Sequence, residues 1–129
     1  MIGVDTNIII RLLTGDDEPQ FLKAKQVFST EELFIADTVL LETEWVLRFA
    51  YKFKPDAIRQ AMTKLLGLAN VHVNSPENLY KTLRLYEQGL DFADAMHLTA
   101  SSRHDTFLTF DKPFIRRAKK LTNCRVKEP

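Results

Sequence analysis

The opening stretch MIGVDTNIIIRLLTG (residues 1–15) decides how the rest of the chain is interpreted. Its apolar residues 2–4 predict a short buried strand, and the turn formers Asp-Thr-Asn that follow predict the end of that strand. The apolar run at residues 8–13 suits a short helix, which Thr14-Gly15 should stop. A strand that passes through a tight turn into a helix is typical of the start of a βαβ unit.

Short apolar segments continue to alternate with helical patterns along the chain. Further strands are predicted at residues 33–36, 71–73 and 107–109, with an edge strand near 125–126, and helices at about 19–29, 37–53, 55–66, 76–88, 91–103 and from 113. Alternation of this kind indicates a parallel sheet that is covered by helices on both faces. In such sheets, ligands bind outside the carboxyl ends of the strands.

The composition indicates one ordinary globular domain, residues 1–129, with 45% hydrophobic and 27% charged residues. A single cysteine, Cys124, excludes an intrachain disulfide and a cysteine-based zinc site, and it suits a reducing compartment. No apolar run approaches the roughly 20 residues that span a bilayer. We therefore expect a soluble, cytoplasmic protein that does not associate with membranes.

The net charge of +1 excludes little, but its distribution is uneven. The first quarter is acidic, whereas residues 112–127 carry seven Lys and Arg side chains. A basic region attracts phosphates. A solvated helix face explains the same charges, and both interpretations remain open.

Four acidic residues stand within or at the end of apolar stretches: Asp5, Glu42, Asp94 and Asp111. Asp5 and Asp111 follow predicted strands, and Glu42 and Asp94 lie early in predicted helices. All four are therefore able to face one edge of a parallel sheet. Carboxylates in apolar surroundings are costly unless they are paired or bound to a metal, and several that converge suit a hard divalent cation.

Each acid also has a structural explanation. Asp5 and Asp111 are possible N-caps of the helices that follow them, and Asp91 is a better cap than Asp94, which lies at the third helical position. His97, three residues after Asp94, is a possible ligand, although a core or supporting role is more common for a single histidine.

Glu42 is the acid for which a structural role is least evident. A helical projection places it within an apolar stripe that contains Trp45 and Phe49, whereas Glu44 and Arg48 fall where solvated charges belong. A buried salt bridge is the structural alternative to a role in a metal site.

A cluster of carboxylates that binds Mg²⁺ or Mn²⁺ suits hydrolysis of a phosphodiester by a metal-activated water. Such a reaction needs no substrate 2′-hydroxyl, and it leaves a 5′-phosphate and a 3′-hydroxyl. Other chemistries lack their motifs, since the chain has no paired catalytic histidines, no nucleophile elbow and no Walker loop.

The chain resembles the PIN-domain ribonucleases of the VapC toxin class over essentially its full length. The segments that carry the resemblance are Val-Asp-Thr-Asn at residues 4–7, Glu42, Phe-Ala-Asp-Ala at residues 92–95, and Leu-Thr-Phe-Asp at residues 108–111. Their order and spacing match the family. The resemblance implies a PIN-like three-layer α/β/α fold with a central, mainly parallel sheet of four to five strands.

The resemblance also implies the chemistry of the site. Asp5, Glu42, Asp94 and Asp111 would be the catalytic, metal-binding acids, with Asp5 and Asp94 as direct ligands of Mg²⁺ or Mn²⁺. Supporting roles would fall to Thr6, Asn7, Asp91 and Thr109. Many members carry a further acid two positions after Asp111, where this chain has Pro113, which weakens the case for a second metal.

The family further implies an RNA substrate, a homodimer and an antitoxin protein that inhibits by filling the site. Two alternatives stay open at this point. One is a PIN-fold RNA-processing nuclease outside any toxin–antitoxin pair, and the other is a PIN module that binds RNA or protein without catalysis.

Overall fold

The computed structural model describes every residue from Met1 to Pro129 and contains seven α-helices and five β-strands. The strands are β1 (Ile2–Gly3), β2 (Leu33–Ile35), β3 (Val71–Val73), β4 (Thr106–Leu108) and β5 (Arg125–Lys127). The helices are α1 (Thr6–Thr14), α2 (Glu18–Thr30), α3 (Asp37–Phe49), α4 (Pro55–Leu66), α5 (Pro76–Glu87), α6 (Phe92–Ala100) and α7 (Lys112–Leu121). None of these helices is long and apolar enough to cross a membrane.

The chain folds as two compact units, residues 1–74 and 75–129. The first unit contains a parallel sheet in the order β1-β2-β3, with Ile2 opposite Leu33 and Leu33 opposite Val71. Helices α1 and α2 connect β1 to β2, and α3 and α4 connect β2 to β3. Its buried apolar side chains include Ile9, Ile10, Leu33, Ile35, Leu40, Leu47, Ile58 and Met62.

Residues close in sequence determine where helix α1 begins and ends. Helix α1 ends at Gly15, whose φ of 63° is left-handed and whose N–H donates to the carbonyl of Arg11 at 3.0 Å. Only glycine adopts this conformation readily, so the predicted stop is confirmed. The helix nevertheless begins at Thr6, two residues earlier than predicted, because Asp5 caps it.

The second unit contains β4 and β5, which pair in parallel with Phe107 opposite Val126. Its core is a cluster of buried apolar residues, namely Leu85, Leu90, Ala95, Leu98, Phe114, Ala118 and Val126. Helices α5 and α6 are also joined by a buried hydrogen bond of 2.7 Å between the hydroxyls of Thr82 and Thr99. The five strands are thus hydrogen-bonded as one group of three and one of two.

Two predicted helix ends were also wrong. Helix α3 ends at Phe49 and not near Phe53, because the chain turns at Lys52, whose φ is 60°, and the Phe53 N–H returns to the carbonyl of Leu47 at 3.0 Å. Helix α6 ends at Ala100 and not near residue 103. The predicted cap of α3 was wrong as well, since Ala36 is its N-cap and no side chain caps it.

The predicted buried stripe of α3 was also wrong. Trp45 and Phe49 are 56% and 46% exposed, whereas Leu40 and Leu47 are fully buried. Two faces of this helix are apolar in sequence, and the aliphatic one packs into the core. Glu44, assigned to the solvated side, is only 2% exposed and accepts hydrogen bonds of 2.8 and 3.2 Å from Arg48.

Candidate active site

Asp5 stands at the carboxyl end of β1 and is the N-cap of α1. Its Oδ1 accepts a hydrogen bond of 2.8 Å from the backbone N–H of Thr6. The capping role considered for this residue is therefore confirmed. The side chain remains exposed, so the cap leaves the carboxylate accessible to a ligand.

Thr6 connects Asp5 to Glu42. Its side chain is 6% exposed, and its hydroxyl donates a short hydrogen bond to Oε1 of Glu42 on α3, 36 positions along the chain. Glu42 itself is exposed. The alternative of a buried salt bridge thus belongs to Glu44, while Glu42 is held at the surface by a neutral hydroxyl.

Of the four candidate acids, the two in the first unit, Asp5 and Glu42, line one cleft of about 460 Å³. Its walls come from the start and middle of α1, from α3 and from the turn that follows α3: Asp5, Thr6, Asn7, Ile10, Arg11, Glu42, Val46, Ala50 and Tyr51. Asn7, predicted as a supporting residue, lies here beside Asp5. The cleft therefore combines hard oxygen donors with a cation.

A hydrogen-bonded network fixes that cation, Arg11. Its Nη1 lies 3.1 Å from Asp16 Oδ1 and 3.1 Å from the hydroxyl of Tyr51, which donates in turn to Asp16 Oδ2 at 2.5 Å. The hydrogen bond from Tyr51 lowers the pKa of Asp16, with further lowering by Thr14 and by the charge of Arg11. Asp16 therefore stays ionised and keeps Arg11 in place.

The acids of the second unit are positioned by two helix starts. Asp91 caps α6 and accepts from the backbone N–H of Asp94 at 3.3 Å, and Asp111 caps α7 and accepts from the N–H of Phe114 at 3.0 Å. Both capping interpretations are confirmed. Thr109 accepts a hydrogen bond of 3.0 Å from the backbone N–H of Asp111, so it fixes the loop and not a carboxylate.

Asp94 is the half-buried member of this group. Burial raises its pKa above the ordinary carboxyl value, and the negative charges of Asp91 and Asp111 raise it further. The charges of His97 and Arg117 act in the opposite direction and lower the pKa of Asp94. The three acids therefore share one electrostatic environment, in which a cation would offset their mutual repulsion.

His97 is exposed, so a core role for it was wrong.

The side chains in each unit fit a Mg²⁺ or Mn²⁺ ion by donor type, because carboxylate and hydroxyl oxygens are the ligands that such ions prefer. No group of three or more His, Cys, Asp or Glu side chains is arranged to hold a metal ion by itself. Since Mg²⁺ typically keeps several waters and takes one or two protein carboxylates, a small donor set does not exclude it.

Two cations near the acids were not identified from sequence. Arg11 interrupts an apolar helical run, which was a usable signal, but its contacts with Asp16 and Tyr51 depend on how α1 and the end of α3 meet. Arg117 was noticed only as part of the basic end of the chain. Its electrostatic effect on Asp94 depends on the packing of α6 and α7.

Comparison with known proteins places the chain in a family. No curated protein sequence matches it. Among solved structures, the chain is similar to VapC20 of Mycobacterium tuberculosis, described as a toxin that cleaves the sarcin–ricin loop, with 19% identity, a TM-score of 0.44, and coverage of 97% of this chain and 99% of that chain. The family model of the PIN domain matches residues 2–120. The chain therefore belongs to the PIN domain family, which confirms the PIN-like α/β/α fold predicted from its motifs.

Proposed function

We propose that this PIN domain is a metal-dependent endoribonuclease that hydrolyses phosphodiester bonds with Asp5, Glu42, Asp94 and Asp111. The observation that carries the proposal is the cleft in which Asp5 and Glu42 meet, joined by the hydroxyl of Thr6. Membership of the PIN family supports it, because PIN domains are generally nucleases. The family match covers most of both units, so we treat residues 1–129 as one functional domain.

The four acids divide into roles. By the motif resemblance, Asp5 and Asp94 would be direct ligands of Mg²⁺ or Mn²⁺, while Glu42, oriented by Thr6, and Asp111 would bind through water or complete the ligand set. The bound ion would supply an activated water and offset charge at phosphorus. Arg11, held by Asp16, lines the cleft and would contact a substrate phosphate there.

The biological setting is proposed from the motif resemblance to VapC toxins. It predicts a cytoplasmic toxin, active as a homodimer and inhibited by a cognate antitoxin. The same resemblance leaves the position of Pro113 without the further acid that many members carry, so we expect one tightly bound ion per domain.

Conservative variants test the acids without removing helix caps. Asp5 and Asp111 are N-caps, and an alanine at a cap costs about 1 kcal/mol of stability, whereas asparagine caps as well as aspartate. Asp5→Asn, Asp94→Asn, Asp111→Asn and Glu42→Gln should therefore keep the fold and lower RNA cleavage by more than about a hundredfold. Cleavage of a labelled structured RNA with Mg²⁺ or Mn²⁺ is the measurement.

Asp17→Asn is the matched control, because Asp17 caps α2 through the N–H of Gln20 with the same chemistry. It should cleave like the parent. Parental rates in Asp5→Asn and Asp94→Asn would show that the site is wrongly assigned. A parent that binds Mn²⁺ but cleaves no RNA pool would instead favour a binding module.

The toxin assignment has its own test. A small reading frame immediately upstream should encode a protein that binds the chain and restores growth when the two are produced together. Parental cleavage without growth arrest, and without such a neighbour, would favour an RNA-processing nuclease.

A further inference from the structure

Helix α3 presents two aromatic rings to solvent. Trp45 is 56% exposed and Phe49 is 46% exposed, and their ring centroids lie 5.1 Å apart at an interplanar angle of 44°. The guanidinium of Arg48 lies 4.5 Å from the centroid of the Phe49 ring. We call the pair Trp45 and Phe49 the aromatic shelf.

The aromatic shelf is not needed for the core of the first unit. The opposite side of α3 supplies the buried contacts through Leu40, Thr43 and Leu47, each of which is 0% exposed. The two exposed aromatic side chains are therefore available to contact a ligand.

The shelf borders the cleft at Glu42. Trp45 and Phe49 are three and seven residues after Glu42, which places their backbones about 4.5 and 10.5 Å further along the helix axis. Val46 and Ala50, the residues next to them, line the cleft itself. The two rings are therefore within reach of a polymer bound at Glu42.

We propose that the aromatic shelf stacks unpaired bases of the RNA next to the phosphate that is cleaved, an inference that rests on the proposed nuclease function. Proteins recognise single-stranded RNA by stacking its bases on aromatic rings and on guanidinium planes. Glu44 holds Arg48 at 2.8 and 3.2 Å, so the guanidinium is fixed over one face of the Phe49 ring and extends the surface on which a base can stack. The substrate is thus RNA that is unpaired on at least one side of the cut.

The size of the shelf favours a base over a protein partner. Two aromatic side chains present about 150–250 Å² each when fully accessible, and here about half of that remains. The result, roughly 200 Å², is well below the approximately 800 Å² that each partner buries in a stable protein interface. The charged residues Glu42 and Arg48 flank the two rings along the helix. Two stacked bases match this area.

Trp45 is the single tryptophan of the chain, so its fluorescence reports on the shelf directly. In EDTA, which prevents cleavage, titration with an unpaired RNA oligonucleotide should quench this fluorescence. Trp45→Ala should weaken RNA binding on the order of ten- to a hundredfold, and Trp45→Phe should retain most of it. An oligonucleotide that lacks the base facing Trp45 should quench this fluorescence less than an oligonucleotide that lacks a base elsewhere.

Cleavage kinetics give a second measurement. Trp45→Ala and Phe49→Ala should raise KM with little change in kcat, because stacking holds the substrate equally before and during the reaction. Tyr80→Ala is the matched control, since Tyr80 is 63% exposed on α5 with Arg84 at 6.0 Å from its ring. It should leave KM unchanged.

The failures of the two proposals are distinguishable. Quenching by RNA in a parent that never cleaves would support the shelf and overturn the nuclease proposal. Normal cleavage by Trp45→Ala with an unchanged KM would overturn the shelf alone. Fluorescence that responds to protein concentration but not to RNA, with dissociation of a dimer in Trp45→Ala, would identify the shelf as a protein interface and overturn the inference.

Discussion

The hydroxyl of Thr6 donates a hydrogen bond to the carboxylate of Glu42, so the first residue of α1 orients an acid on α3. Thr6→Val removes this hydroxyl but keeps the shape of the side chain and the backbone N–H that Asp5 caps. A hydrogen bond to a charged group contributes about 1.5–3 kcal/mol. We therefore expect cleavage to fall roughly ten- to a hundredfold, measured as kcat/KM on one RNA substrate.

The reciprocal variants show whether Thr6 acts through Glu42. Thr6→Ser keeps the donor and should retain nearly parental activity. In a Glu42→Gln background, Thr6→Val should cause little additional loss, because the carboxylate that it orients is already gone. Independent, additive losses from the two substitutions would show that Thr6 affects the site by another route.

Cleavage should be insensitive to the 2′-hydroxyl at the cut. If a water attacks phosphorus, replacing the ribose before the cut by a deoxyribose removes no reacting group. We expect the singly substituted RNA to be cleaved within about fivefold of the unmodified rate, with a 5′-phosphate on the downstream product. Complete resistance of that substrate, with a cyclic phosphate on the normal product, would contradict water attack.

Tyr51 should extend the stability of the first unit to lower pH. Its hydroxyl is the leading cause of the lowered pKa of Asp16, so ionised Asp16 favours the folded state. For a carboxyl with a lowered folded pKa, this contribution is complete above the unfolded value of about 3.8 and is lost as the pH falls through the folded value. Tyr51→Phe should therefore lower Tm at pH 7 and should cost less at pH values well below 3.8.

Thermal unfolding followed by circular dichroism between pH 2 and 7 is the measurement for this pair. Asp16→Asn is the companion variant, since it removes the titrating group and should lose the same pH dependence. A difference in Tm between Tyr51→Phe and the parent that stays constant over the whole range would show that Tyr51 stabilises only by packing.

The parts of this fold that were predictable depend on neighbours in sequence. Asp91 and Asp111 act as caps because the N–H groups that they accept lie three residues away, and Gly15 stops α1 by its own conformational freedom. The alternation of strands and helices also follows from local periodicity. These features can therefore be predicted without a structure.

The features that were missed depend on contacts between distant residues. Both faces of α3 are apolar in sequence, and its packing against helices α1 and α4 decides that Leu40 is buried and Trp45 exposed. The hydrogen bond between Thr6 and Glu42 spans 36 positions, and the contact of Tyr51 with Asp16 spans 35. No local pattern predicts such pairs. Candidate acids could be found from sequence, but their orienting partners could not.

The buried ion pair of α3 should be more important for stability than an exposed pair of the same spacing. Glu44 has a side chain only 3% exposed, and Arg48, one turn later, donates two hydrogen bonds to it. Loss of these two hydrogen bonds weakens the compensation of a buried negative charge. We expect Arg48→Met to lower the free energy of unfolding by about 1–3 kcal/mol, measured by urea denaturation.

Two further variants separate the stability lost in Arg48→Met from the effect of substituting an exposed residue of a helix. Glu77 and Lys81 form an i,i+4 pair at 3.2 Å whose side chains are 79% and 52% exposed, so Lys81→Met should cost no more than about 0.5 kcal/mol. The double variant Glu44→Leu with Arg48→Met should recover much of the stability lost in Arg48→Met, because it removes the buried charge along with its partner. A double variant that is less stable than Arg48→Met would show that the carboxylate of Glu44 is held mainly by groups other than Arg48.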